Sequence, residues 1–221
     1  PHKTPRRQRQ MCIRDRSLHS GHVPDKETGS RAVPIYQTTS YVFKDTDEAA
    51  ALYNMEVGGH LYTRISNPTI ATLEQRLASL DGGVSCVACS SGMAAMHLVV
   101  TAICSSGDHI VASNKMYGAN INLLQHTMTR FGIETTFVNP NNLEEIEKAI
   151  KPNTKLVFGE VIGNPGLDVM NVPEVAKICK KKNVPLAIDA TFNTPYLMKP
   201  ISYGANICLL YTSDAADEVS W

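Results

Sequence analysis

Ser90-Ser91-Gly92-Met93 sets small residues at the expected start of a helix. The backbone N–H groups of a first helical turn have no carbonyl partner, and the helix dipole makes that end attractive to an anion such as phosphate. Ordinary capping by a serine explains the same residues. Tyr117-Gly118 could lay a phenol ring on a flat ligand while the glycine lets the backbone pass close, or could be a plain loop. Gly163-Asn164-Pro165-Gly166 is turn chemistry first, and can also hold the Asn164 amide toward a ligand. Asp189-Ala190-Thr191 puts a carboxylate at the end of an apolar run, where burial is costly without a partner. A protonated heterocyclic nitrogen would satisfy it, as would a loop cap or a lysine. Tyr62-Thr63-Arg64 offers a guanidinium whose planar fork matches phosphate, or simply a surface arginine.

Other chemistries find less support. Cys86-x-x-Cys89 has redox or zinc spacing, but the pair falls in an apolar run with no second pair, so neither use is expected. His19, His22, His60, His97, His109 and His126 show no metal-ligand spacing with a carboxylate, and no metal site is expected. The Gly-rich fingerprints of dinucleotide and P-loop sites are missing, as is the G-x-S-x-G elbow of hydrolases.

The elements that must position these residues follow from periodicity. Asn67 suits a helix cap and Pro68 a first turn, while Ile70, Leu73, Leu77 and Leu80 recur at helical spacing until Gly82-Gly83 stops them. Strands are predicted at Val84–Cys89, Asp108–Ala112, Glu134–Val138, Lys155–Phe158 and Pro185–Ile188. Helices are predicted at 92–104, 119–131, Asn142–Ile150 and Val172–Lys182. Strands alternating with helices of this length imply crossover connections, hence an α/β fold: three layers, a mostly parallel sheet with helices on both faces. In such a sheet ligands sit beyond the carboxyl ends of the strands, where four of the five stretches fall. Residues 17–66, rich in Thr, Ser, Gly and Tyr with a polar helical patch near 45–55, read as an N-terminal arm, and 67–207 as the sheet domain.

Composition narrows the class. Apolar residues make up 43% and charged residues 19%, the balance of a folded chain. Lys+Arg and Asp+Glu both number 21, so nothing recommends nucleic acid or an anionic membrane as partner. No apolar run approaches the ~20 residues that span a bilayer, no signal peptide is visible, and six cysteines in a chain of this length suit reduced thiols; a cytoplasmic protein is expected.

The two ends have another expected origin. The DNA CGT CGG CAG CGT CAG ATG TGT ATA AGA GAC, with AG opening the next codon, encodes residues 6–15. Its reverse complement, read one base in, encodes residues 208–217. The same DNA resembles a sequencing-library adaptor, so 1–16 and 208–221 are expected to be non-native. These ends hold six of the 21 basic and four of the 21 acidic residues, which leaves 15 and 17 between residues 17 and 207. The basic start is therefore not read as a binding arm.

Taken together, Tyr62-Thr63-Arg64-Ile65-Ser66-Asn67-Pro68-Thr69, Ser91-Gly92-Met93-Ala94-Ala95, Tyr117-Gly118, Gly163-Asn164-Pro165 and Asp189-Ala190-Thr191 resemble, in order and spacing, the Cys/Met-metabolism pyridoxal-phosphate enzymes. The resemblance covers essentially all of 17–207. It implies the aspartate-aminotransferase fold (fold type I), pyridoxal 5'-phosphate as cofactor and an amino-acid substrate. Three stretches look most like the O-acetylhomoserine sulfhydrylases of that family: Ala32–Tyr41, Phe158-Gly159-Glu160 and Ile162–Gly166. Cystathionine γ-synthases, cystathionine γ-lyases and methionine γ-lyases remain alternatives, and a non-catalytic chain that binds phosphate ligands or a partner subunit is a reading of another class.

Each position takes a role from the resemblance. Asp189 would pair with the pyridine nitrogen. Gly92 and Met93 would give N–H groups to the phosphate, with Ser91 beside them. Tyr117 would stack on the ring and help eject the leaving group. Asn164 would bind the ring hydroxyl, and Thr191 would touch the ring. Tyr62 and Arg64 would reach the phosphate of a neighbouring subunit, which implies a homodimer or homotetramer. Two departures stand out: Ala190 where the family usually has Asn, and Met93 where sulfhydrylases commonly have Gln. The Schiff-base lysine belongs to a Ser-x-Thr-Lys segment expected just after the stretch matching Pro200–Ile207. It and the C-terminal domain are expected to lie outside this chain, and Lys199 sits too early to replace it. The parent is expected to be an enzyme and the chain as given a catalytically incomplete part of it.

Overall fold

The computed structural model describes residues 6–211, in two units that divide between Ala88 and Cys89. The first unit holds α1 (Arg6–His19), α2 (Thr46–Tyr53) and α3 (Pro68–Asp81). α2 begins at Asp45, whose side chain accepts from the Glu48 N–H. α3 begins as its sequence demands: Asn67 accepts from the Thr69 N–H, Pro68 fills the first turn, and Gly82 ends the helix with a left-handed φ of 81°. Asn67 does more than cap. It is 4% exposed, and its Nδ2 donates to Tyr36 O at 2.8 Å, Tyr41 Oη at 3.1 Å and Thr63 Oγ1 at 3.2 Å. Thr69 Oγ1 adds a bond to Pro34 O at 2.8 Å. One buried amide and one hydroxyl thus fasten the arm to α3. Among the described residues of this unit only Asn67 and Thr72 are buried, so polar pairing rather than an apolar core organises it.

α1 runs through residues 6–16 without a break and lies along α3, where Arg16 Nη1 donates to Ser79 O at 3.3 Å and Arg76 Nε to Ser20 O at 2.9 Å. The predicted strand at Val84–Cys89 does not form: Val84 is 107% and Val87 69% exposed. A strand exists only through its ladder partner, and this run finds none among the described residues.

The second unit is the predicted parallel sheet. In chain order it holds α4 (Gly92–Ile103), β1 (His109–Ser113), α5 (Gly118–Asn122), α6 (Met128–Arg130), β2 (Glu134–Val138), α7 (Leu143–Ala149), β3 (Thr154–Glu160), α8 (Val172–Lys182), β4 (Leu186–Asp189), α9 (Thr194–Leu197) and β5 (Ile207–Leu209). All pairings are parallel, in the order β2-β1-β3-β4-β5. Alternate strand residues face opposite layers. Val111, Val157, Leu186 and Ile188 pack with Ile146, Val172, Val175 and Cys179 of α7 and α8. Ile110, Ala112, Leu156, Phe158 and Ala187 pack with Met96 and Val100 of α4 and with Leu124 and Met128. Helices therefore cover both faces.

The predicted helix at 119–131 is a composite. α5 passes through one π-helical stretch, Leu123–Thr127, into α6. Its buried residues Asn120, Leu124 and Met128 repeat every four positions, slightly slower than the 3.6 of an α-helix. A wider turn removes that drift and keeps all three on one side. β5 continues through Cys208 to Leu209, which pairs with Asp189.

Candidate functional site

The strand order reverses at β1. The chain leaves β1 for β2 on one side and returns to β3 on the other, so the carboxyl ends of β1 and β3 flank a topological switch point. Glu160 ends β3 there, in register with Asp189 at the end of β4.

Glu160 is 7% exposed, and both its oxygens are engaged. Oε1 accepts from the Tyr117 N–H at 2.8 Å and from Asn120 Nδ2 at 3.4 Å; Oε2 accepts from the Asn164 N–H at 3.1 Å. Burial pushes its carboxyl above the ordinary range, against the pull of the Tyr117 N–H, and neighbouring Asp189 pushes the same way. One side chain thus joins the loop after β1 to the loop after β3. Gly163 lets those loops touch, because a Cβ there would collide with the Lys115 carbonyl oxygen. The second loop is tied by Gly163 N to Asp168 O and Leu167 N to Gly163 O, both 2.8 Å. The Asn164–Pro165 peptide is cis.

Asp189 is only partly buried. Its Oδ1 accepts from the Thr191 N–H at 2.9 Å and the Thr191 hydroxyl at 2.6 Å, so the loop-capping role is present. At α4, Ser91 caps as foreseen, with Oγ accepting from the Ala94 N–H at 3.1 Å. Gly92 and Met93 follow in the first turn, where N–H groups lack helical acceptors. Tyr117 is half exposed, its backbone held by Glu160.

Tyr211 joins two of these pieces. Its N–H donates to Thr191 Oγ1 at 3.1 Å, and its side chain lies on Gly92: a Cβ built there would stand 3.1 Å from Tyr211 Cβ and Cγ. Ala190 N–H, between Asp189 and Thr191, donates to Leu209 O at 2.9 Å.

In the first unit the Arg64 guanidinium carbon sits 5.6 Å from the Tyr62 ring centroid, a cation–π pair on exposed side chains. Of the residues expected from sequence, the second unit links Tyr117 to Asn164 through Glu160, Asp189 to Thr191 directly, and Thr191 to Gly92 through Tyr211. Met93 lies in the first turn of α4. Glu160 and Asn120 were not given roles from sequence. The signal for Glu160 was there: like Asp189, it is a carboxylate closing an apolar strand.

The described residues hold a donor and acceptor set that suits a pyridine ring bearing a phosphate: a partly buried carboxylate, first-turn N–H groups and a tyrosine beside a glycine. Tyr211 lies against Gly92 at the start of α4.

A family model described as Cys/Met metabolism PLP-dependent enzyme matches residues 15–213. An O-acetyl-L-homoserine sulfhydrylase of Leptospira meyeri is 46% identical over 191 residues, 86% of this chain and 43% of the relative. An L-methionine gamma-lyase of Treponema denticola is 37% identical over 196 residues, 88% of this chain and 49% of the relative. Among solved structures, a putative O-acetylhomoserine (thiol)-lyase of Campylobacter jejuni, which carries N'-pyridoxyl-lysine-5'-monophosphate, superposes with a TM-score of 0.87 at 37% identity, over 90% of this chain and 49% of its own. Cystathionine gamma-lyase of Lactobacillus plantarum superposes at 0.82 and 31% identity, over 90% and 49%. The chain spans about half the length of the relatives it matches.

Proposed function

This chain belongs to the Cys/Met metabolism PLP-dependent enzymes, and on that premise we propose that it is part of an O-acetylhomoserine sulfhydrylase, contributing much of the cofactor cradle. The observation that carries the reading is the gathering of Tyr117, Asn164, Asp189 and Thr191 at the carboxyl edge of one parallel sheet, in a chain whose most similar curated relatives include sulfhydrylases. When bound, pyridoxal phosphate supplies an electron-withdrawing ring that acidifies the carbons of a linked amino acid. Asp189 would pair with the ring nitrogen and keep it protonated. Gly92 and Met93 N–H would bind the phosphate, with Ser91 beside them. Tyr117 would stack on the ring and help the leaving group depart, Asn164 would bind the ring hydroxyl, and Thr191 would touch the ring. Tyr62 and Arg64 serve the phosphate of a neighbouring subunit, so the whole enzyme is a homodimer or homotetramer.

The substrate is then O-acetylhomoserine, whose acetate is replaced by sulfide or methanethiol. The Schiff-base lysine lies outside this chain, and residues 1–16 and 208–221 are non-native. A γ-lyase is the second reading, favoured by the methionine gamma-lyases of Treponema denticola and Fusobacterium nucleatum among the relatives.

Reading the source gene across the codons of Arg16 and Ile207, then assaying its full product, tests both. The expected frame continues past Ile207 into a Ser-x-Thr-Lys segment. Its product converts O-acetylhomoserine and sulfide to homocysteine and acetate. Release of methanethiol, ammonia and 2-oxobutanoate from methionine and water as the main activity would favour the γ-lyase. A gene that encodes Cys208–Trp221 and then stops would overturn the proposal on the ends.

A further inference from the structure

Glu160 closes β3 at 7% exposure, in register with Asp189 at the end of β4. Burial disfavours its charge, and so does neighbouring Asp189. What a carboxylate offers there is acceptance at both ends. A glutamine has one carbonyl and one NH2, and cannot accept from the Tyr117 N–H at 2.8 Å and the Asn164 N–H at 3.1 Å together. Nearby amides of the two loops are held in other ways. Asn114 N–H goes to Val138 O at 2.8 Å, Lys115 N–H to Ser113 Oγ at 3.0 Å and Gly163 N–H to Asp168 O at 2.8 Å. Tyr117 and Asn164 are thus positions where a side chain at the end of β3 holds the loop backbone. They are also the two loop residues that the cofactor reading assigns to the ring. Asn120, 3% exposed, reaches the same carboxylate with Nδ2 at 3.4 Å and donates its N–H to Tyr117 O at 3.0 Å.

We propose that Glu160 is a positioning residue for the cofactor ring: it fixes the backbone at Tyr117 and at Asn164 together, so that the phenol and the amide stand at one set separation before a ligand arrives. The inference rests on the cofactor reading above and adds a residue that acts through the others. With the tie loosened, apparent affinity falls by the fraction of time both loops are in place: loops in place one-tenth of the time weaken binding about tenfold.

Calorimetric titration with pyridoxamine 5'-phosphate, which needs no lysine to bind, tests this in four chains: unaltered, Glu160→Gln, Tyr117→Ala and both together. Tyr117→Ala removes the ring and keeps the N–H that meets Glu160. The expected result is binding about tenfold weaker to Glu160→Gln than to the unaltered chain, with inorganic phosphate bound equally by both. In the Tyr117→Ala background the same substitution should weaken binding by no more than about threefold, the share that passes through Asn164. A loss of equal size in both backgrounds, or none in either, overturns the positioning role and leaves the cofactor reading intact. If the unaltered chain binds neither probe, the cofactor reading fails and this role falls with it. Amide exchange in the unaltered chain without ligand judges the tie with no variant at all. Tyr117 and Asn164 N–H exchanging as slowly as the β3 amides uphold it; exchange as fast as that of open loop amides overturns it.

Discussion

Glu160 couples the two loops that flank the switch point because a carboxylate accepts at both oxygens. Glutamine does not. In Glu160→Gln one end of the side chain becomes an NH2 that faces a peptide N–H, that of Tyr117 or of Asn164. Leaving such a buried donor unsatisfied costs about 1–3 kcal/mol. The variant is expected to unfold at lower denaturant by that amount, with the amide protons of Tyr117 and Asn164 shifting in its spectrum; an unchanged midpoint and unchanged amides would contradict the coupling. At this scale the sequence was legible where a candidate side chain follows an apolar run or sits among turn residues, as Asp189, Thr191 and Asn164 do. It was not legible where a side chain answers backbone groups elsewhere. Glu160 meets an N–H 43 residues back, and no local spacing announces that bond. Asn67 is similar: its cap was readable, its bond to Tyr36 O 31 residues back was not.

Period and capping made most elements readable, within a residue or two for β1 to β4, α3, α4, α7 and α8. Two expectations failed for physical reasons. The 84–89 run has strand composition but no partner, and composition cannot supply one. The 119–131 helix has a repeat of four, which period analysis reads as continuous helix while the backbone answers with a π turn. β5 passes from Ile207 into Cys208 and Leu209 without interruption, because an apolar run beside an open strand pairs whatever its origin. His109, at the opposite edge of the sheet from the site, ties three strands together. Its Nδ1 meets Thr154 Oγ1 and its Nε2 meets Thr136 Oγ1, both at 2.8 Å. Burial, then Lys151, holds its pKa below the ordinary 6.5, although Glu134 pulls upward. A folded pKa below the unfolded one means that its contribution is full above about pH 6.5 and is lost as pH falls through the folded value. Stability of the sheet unit should therefore drop on acidification below that point, and His109→Asn should flatten the drop. An unchanged profile in the variant would assign the acid sensitivity elsewhere.

For the molecule as a whole, alternation of strands and helices was enough to expect a parallel three-layer sheet, but not its order. β2-β1-β3-β4-β5 depends on which side of β1 each crossover lands, and only the packed faces decide that. The first unit offered no core to read, since its organisation is a set of side-chain bonds around Asn67. Family membership unites these scales. A carboxylate, an amide, a tyrosine and a glycine-led helix lie at the carboxyl edge of the sheet in a chain of that family. The central claim is that this edge holds a protonated pyridine ring through Asp189. The most direct measurement compares pyridoxamine 5'-phosphate binding to the unaltered chain with binding to the chain carrying Asp189→Asn. Loss of a charged hydrogen bond of about 1.5–3 kcal/mol predicts affinity weaker by roughly ten- to a hundredfold, with inorganic phosphate bound equally by both. Equal affinity for pyridoxamine 5'-phosphate would contradict the claim.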